Sequence, residues 1–210
     1  GRAVALDPTA VDVDVVRFAA LVDAGTADGL AQAAEVYQGD FLEGFVLRDP
    51  SFEEWLVAER ERLRERALDA MRRLLDLQHA ARAIEPAIRT ALRLLALDAT
   101  QEVAHQALMR LYVQQGRTAR EGGDLAQAER AYRSAVRVAP DHVEAWKGLG
   151  SAAWERGDLD VALEAARALL ALAPDDPGRR SGLAAVEQAV AARRAAADSL
   201  RTPASPPRDR

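Results

Sequence analysis

Residues 124–174 read DLAQAERAYRSAVRVAPDHVEAWKGLGSAAWERGDLDVALEAARALLALAP, and they echo themselves after 34 positions. Asp124 returns as Asp158, Ala128 as Ala162 and Pro140 as Pro174, and just upstream Gly116 stands 34 residues before Gly150. A constant step of that size marks a supersecondary unit that cannot bury its apolar face alone and must stack on its neighbours. Each repeated residue has a packing reason. Small side chains let the two helices of a hairpin approach closely, Asp and Gly make the turn between them, and Pro ends the second helix. An array of helical hairpins is therefore the expected core of this chain.

The second copy, with Trp146, Leu149, Gly150, Gly157, Asp158, Leu159, Ala162, Ala166 and Pro174, resembles the tetratricopeptide (TPR) pattern. The first copy agrees through Ala128, Tyr132 and Pro140. The resemblance implies an all-α fold of stacked TPR-like hairpins, a right-handed α-solenoid. Downstream, Asp176 as cap and Pro177 in the first turn predict a terminal helix over 177–197 that covers the last repeat. Residues 198–210 hold Ser199, Thr202, Pro203, Ser205, Pro206 and Pro207 and almost nothing apolar, so they read as a disordered tail or linker. Upstream, Ile84, Ala87, Ala91 and Leu94 form a degenerate earlier copy, with Pro86 in its first turn and Ala99 where proline is expected. Seven residues are inserted between that copy and the regular ones. Seven is close to two helical turns, so one helix runs from Glu102 to about Glu121, or Gly116 ends it and a loop follows.

Residues 1–11 alternate weakly and meet a proline, which reads as a remnant strand or extended lead-in. Val15, Val16, Phe18, Ala19 and Val22 then make one apolar helical face, stopped at residues 23–26, and a second helix covers 27–37. In the glycine-bounded loop 39–45, Phe41, Leu42 and Phe45 are too apolar for an exposed turn and are expected under the following helix. Ser51 and Glu54 form a capping box for that helix, whose face of Phe52, Leu56, Leu63, Ala67, Met71, Leu74 and Gln78 carries it to about His79. Its charged run predicts the exposed pairs Glu59 with Arg62 and Glu61 with Arg64. Trp55 and Trp146 are expected in the core.

A second resemblance spans residues 12–117. Val13, Asp14 and Phe18, the block Tyr37, Gly39, Asp40, Phe41, Leu42 and Phe45, then Glu54, Trp55, Glu59, Arg60, Arg62, Leu63 and Arg64, and later Ala104, His105, Leu108, Met109 and Gly116 resemble the bacterial transcriptional activator domain (BTAD) of SARP-type regulators. In that family the domain is an all-helical, TPR-like bundle that follows a winged-helix DNA-binding domain. The resemblance therefore implies a missing N-terminal winged helix, of which residues 1–8 look like the last strand. The expected organisation is a lead-in over 1–11, a BTAD-like domain over 12–117, TPR repeats with a capping helix over 118–197, and a tail over 198–210.

Composition narrows the function. There is no cysteine, which removes disulfides, thiolate nucleophiles and cysteine-ligated metals. A net charge of −5 offers no field that would draw the chain onto nucleic acid, and no apolar run reaches the ~18 residues of a membrane span, so a cytoplasmic setting is expected. His79, His105 and His142 lie far apart with no partner ligand at metal spacing on their helices, and no phosphate-cradling glycine motif is present. No catalytic, cofactor-binding or metal-binding residue is assigned, and the chain is not expected to be an enzyme. What remains is the groove face of the first helices of the hairpins, with candidate partner-binding residues Gln106, Arg110, Glu144, Lys147, Ser151, Trp154 and Glu155. The expected role is a regulatory module of a bacterial transcription factor that contacts a protein or peptide partner, or a second copy of itself. The alternative is a peptide-binding TPR adaptor in a multidomain signalling protein such as a kinase or an ATPase.

Overall fold

The computed structural model describes residues 11–201. The lead-in before Val11 and the tail from Thr202 onward lie outside the described residues. Nine helices run in order among those that are described: α1 (Asp14–Ala24), α2 (Ala27–Val36), α3 (Pro50–Ala80), α4 (Ile84–Leu97), α5 (Glu102–Glu121), α6 (Leu125–Val138), α7 (Val143–Arg156), α8 (Leu159–Leu172) and α9 (Pro177–Arg201). The fold is all-α and built of TPR-like hairpins. None of these helices is long and apolar enough to cross a membrane. Two compact units divide within α5, between Ala107 and Leu108, whereas the sequence reading divides the chain after residue 117.

In the first unit α1 packs on α2, α2 on α3 and α3 on α4. Gly25 ends α1 in the left-handed region at φ 64°, and the Thr26 hydroxyl caps α2 by accepting from the Gly29 amide at 3.0 Å. Phe18 and Val22 of α1, Leu30 and Ala33 of α2, Leu63, Met71 and Leu74 of α3 and Ile88 and Leu94 of α4 form the core. Leu30 is wholly buried, so its truncation to alanine costs on the order of 2–5 kcal/mol.

Several sequence expectations for this unit need correction. The cap of α3 is Asp49, whose Oδ1 accepts from the Phe52 amide at 3.1 Å, and Pro50 opens the helix. Ser51 already sits inside the first turn, because proline's fixed φ suits the position right after the cap. Trp55 is 49% exposed and not in the core. It falls one residue, about 100° of helix, away from the buried Leu56. Of the loop residues expected beneath α3, Phe41 is half-buried edge-on against Trp55, whereas Leu42 and Phe45 remain exposed. The Glu59–Arg62 pair forms, with Arg62 Nε donating to Glu59 Oε2 at 2.9 Å, but Arg64 instead donates to the Leu97 carbonyl at 2.8 Å. That carbonyl belongs to the last turn of α4, where the helix leaves its acceptors unpaired.

In the second unit α6 packs on α7, α7 on α8 and α8 on α9. The repeat is visible atom for atom. Asp124 and Asp158 cap α6 and α8 by accepting from the Gln127 and Val161 amides at 2.9 and 3.3 Å. The preceding Gly123 and Gly157 take left-handed φ of 81° and 79°. Ala128 and Ala162 are both buried. The inserted seven residues extend α5 as one helix, so Gly116 lies within it and does not end it. Trp146 is half-buried against this core while its indole Nε1 donates to the Pro140 carbonyl at 2.7 Å. Asp176 caps α9 as expected, accepting from the Gly178 and Arg179 amides at 2.8 and 3.2 Å.

Candidate functional site

Helical spacing puts Glu144, Lys147, Ser151 and Glu155 of α7 on one face, and Val113, Arg117, Arg120 and Glu121 of α5 on another. In the second unit these two faces flank Tyr132 of α6 and enclose an open cavity of about 380 Å³. Tyr132 is its floor. The ring is buried between two glycines: a Cβ at Gly148 would lie 2.3 Å from Tyr132 Cε1, and one at Gly116 would lie 2.9 Å from three ring carbons. A backbone can approach a ring this closely only where no Cβ intervenes. Gly148 and Gly116 are therefore required by the aromatic floor.

Electrostatics ties the walls to the floor. Burial raises the Tyr132 phenol above its ordinary value, Arg120 and Arg117 oppose that rise, and Glu144 and Glu121 add to it. Two ion pairs join α5 to α7. Arg117 meets Glu144 at 3.3 Å, and Arg120 Nε donates to Glu155 Oε1 at 3.1 Å. The hydrogen bond from Arg120 holds the Glu155 carboxyl below the usual range, and Glu155 in turn raises Arg120. All four side chains are well exposed, so water screens these pairs and they add little to stability. Lys147 makes no ion pair among the described residues and is the only lysine among 28 Lys and Arg. The groove thus offers hydrogen-bond donors and acceptors of both charges above an aromatic base. Its lining holds no histidine and no cysteine. Among the described residues no group of three or more His, Cys, Asp or Glu could hold a metal ion.

Four of the seven residues expected from the sequence, Glu144, Lys147, Ser151 and Glu155, line this cavity. Trp154 is 48% exposed on α7 and does not line it. Arg110 is exposed on α5 outside it, and Gln106 belongs to the first unit, where its Nε2 donates to Glu102 Oε1 at 2.8 Å. Sequence reasoning missed Arg117, Arg120, Glu121 and Tyr132 as lining residues, and read Gly148 only as packing. The signal for the charged three was present, since they continue the helical face that begins at Val113, provided α5 is continuous through Gly116.

The profile of the bacterial transcriptional activator domain matches residues 13–141, and that of a tetratricopeptide repeat matches residues 113–177. No curated protein is significantly similar in sequence. Similar solved structures include the TPR domain of P58(IPK), at 14% identity and TM-score 0.45 over 90% of this chain and 49% of that one. The Arabidopsis OM64 TPR domain matches at 16% identity and TM-score 0.35, over 60% of this chain and 98% of its own. The C-terminal TPR-containing domain of a Plasmodium falciparum FK506-binding protein matches at 13% identity and TM-score 0.38, over 63% and 94%.

Proposed function

The chain belongs to the bacterial transcriptional activator domain family, and from that premise we propose that it is the non-catalytic regulatory module of a bacterial transcriptional regulator. It works in the cytoplasm and engages a protein partner, or a second copy of itself, through the groove between α5 and α7. The observation that carries this reading is the open cavity floored by Tyr132, whose walls present Arg117, Arg120 and Lys147 against Glu121, Glu144 and Glu155. Such a surface recognises the polar backbone and mixed charges of a polypeptide, and holds no nucleophile paired with a base. In the same reading, DNA is contacted by a winged-helix domain preceding this one and not by these residues, whose chain carries a net charge of −5.

The test is a reporter assay with the full-length gene. Lys147→Glu combined with Arg120→Glu reverses two of the groove's three exposed cations without touching the core, and it should lower activation while promoter binding stays unchanged. Activation equal to wild type would remove the groove from the proposal. A full-length gene with no DNA-binding domain would remove transcription from it.

A further inference from the structure

The first unit holds a cavity that the groove reading leaves unused. It measures about 480 Å³ and lies where α1, α3 and the loop after α2 meet. Its apolar wall is aromatic, made by Phe18, Tyr37 and Phe41 with Leu63, and the Phe18 and Tyr37 rings sit 5.7 Å apart, tilted by 44°. Its charged lining is acidic: Asp14, Asp40 and Glu43 line it beside the neutral Gln38, and no Arg, Lys or His does. None of these three carboxylates makes an ion pair among the described residues. Three arginines bonded at or near this wall have other partners: Arg93 donates to the Tyr37 carbonyl at 3.4 Å and to Glu35 Oε1 at 2.8 Å. Arg60 donates from Nε and a terminal nitrogen to the Phe41 and Leu42 carbonyls at 2.7 and 2.8 Å, and Arg64 donates to the Leu97 carbonyl.

The loop that supplies half of this wall is held in an unusual state. Leu42 takes φ 50°, a left-handed conformation that costs a branched residue on the order of 1–3 kcal/mol. The two hydrogen bonds from Arg60 pin that loop to α3, so Arg60 is a positioning residue for the cavity. Continuing from Glu43, the chain exposes an apolar ridge: Phe45 is 51% and Val46 78% exposed, with Leu47 beside them.

We propose that this cavity receives a basic side chain, an arginine, from a partner polypeptide whose neighbouring apolar residue rests on the Phe45–Val46–Leu47 ridge. Charge complementarity chooses the sign, since three carboxylates outside any ion pair among the described residues, without a lining cation, reject an anion. The aromatic wall chooses the shape. A planar, weakly hydrated guanidinium stacks on rings and forks onto carboxylates, whereas a lysine ammonium offers only a point charge. This site is independent of the groove in the second unit, and either can fail without the other.

The experiment is an amide-resolved NMR titration of the full chain with the blocked peptide acetyl-Leu-Ala-Arg-Ala-amide, set against the same peptide carrying neutral citrulline and against one carrying glutamate. The arginine peptide should shift the amides of Tyr37, Gly39 and Asp40 and bind about tenfold tighter than the citrulline peptide, the combined effect of one cation–π contact and one or two screened ion pairs. Asp40→Asn combined with Glu43→Gln exchanges two exposed side chains for near-isosteres, and it should erase that preference while leaving citrulline binding unchanged. Equal binding of the arginine and citrulline peptides, tighter binding of the glutamate peptide, an undiminished preference in the double variant, or no shift in this region at millimolar arginine peptide would each overturn the proposal.

Discussion

Gly148→Ala should destabilise the second unit, although helix propensity alone argues the reverse. Gly148 lies in the interior of α7, where replacing glycine by alanine ordinarily gains about 1 kcal/mol. Here the new methyl would lie 2.3, 2.4 and 2.6 Å from Tyr132 Cε1, Cζ and Cδ1. The ring has no room to retreat, because a Cβ at Gly116 would also meet it at 2.9 Å, so the space between the two backbones fits one aromatic ring and no methyl. Overpacking of a well-filled core costs roughly 1–3 kcal/mol and sometimes more, and a clash this deep belongs at the upper end. After the propensity gain the expected net loss is about 2 kcal/mol, or about 10 °C in the Tm of a unit of this size. Thermal unfolding of the full chain, followed by far-ultraviolet circular dichroism and by tryptophan fluorescence in a Trp55→Phe background that leaves Trp146 and Trp154 as reporters, measures it. A Tm equal to or above wild type would show that the ring is not clamped, and the account of the groove floor would fall with it. Pairing the substitution with Tyr132→Leu should recover part of the loss, which separates this clash from a general intolerance of α7.

Other substitutions probe the remaining inferences. Gly182→Ala in α9 meets nothing within 4 Å, so only propensity acts and the melting temperature should rise by an amount matching about 0.5–1 kcal/mol in thermal unfolding. Asp158→Ala removes the acceptor of the Val161 amide at the start of α8 and should cost about 1 kcal/mol in a denaturant titration, with Asp124→Ala acting alike on α6. Asp98 is held at about 2 by hydrogen bonds from the Thr100 hydroxyl, the Gln101 amide and the Thr100 backbone. Its folded value lies below its unfolded one, so its contribution is present above pH ~4 and is lost as pH falls towards 2. Carboxyl-detected NMR should place its midpoint near 2, and Asp98→Asn should flatten stability across that interval; a midpoint near 4 would refute the hydrogen-bond account.

What could be read from the sequence was local and periodic. The Asp124 and Asp158 caps, the buried Ala128 and Ala162 and the Asp176 start of α9 follow from spacings of a few residues, which a one-dimensional reading resolves. The start of α3 was misplaced because Asp49 and Ser51 both qualify as caps and only the position of Pro50 separates them. Trp55 was misassigned because size argues for burial, whereas burial depends on which side the loop 39–45 covers, and that is a tertiary matter. In the groove, the repeat fixes the phase of α7, which brings Glu144, Lys147, Ser151 and Glu155 to the cavity and leaves Trp154 outside it. Arg117, Arg120 and Glu121 were lost because the inserted seven residues left the phase of α5 open. The role of Tyr132 could not be seen at all, since it arises from two glycines on different helices, 16 residues to either side, closing on one ring.

Lys147 carries the only side-chain amine in the chain, and it stands in the groove wall with no carboxylate paired to it among the described residues. An amine-selective reagent therefore modifies one side chain, and that side chain reports on whether the groove is filled. Acylation there would erase a positive charge and add bulk between α5 and α7, so lysine chemistry of any kind meets this protein at the surface we assign to its partner.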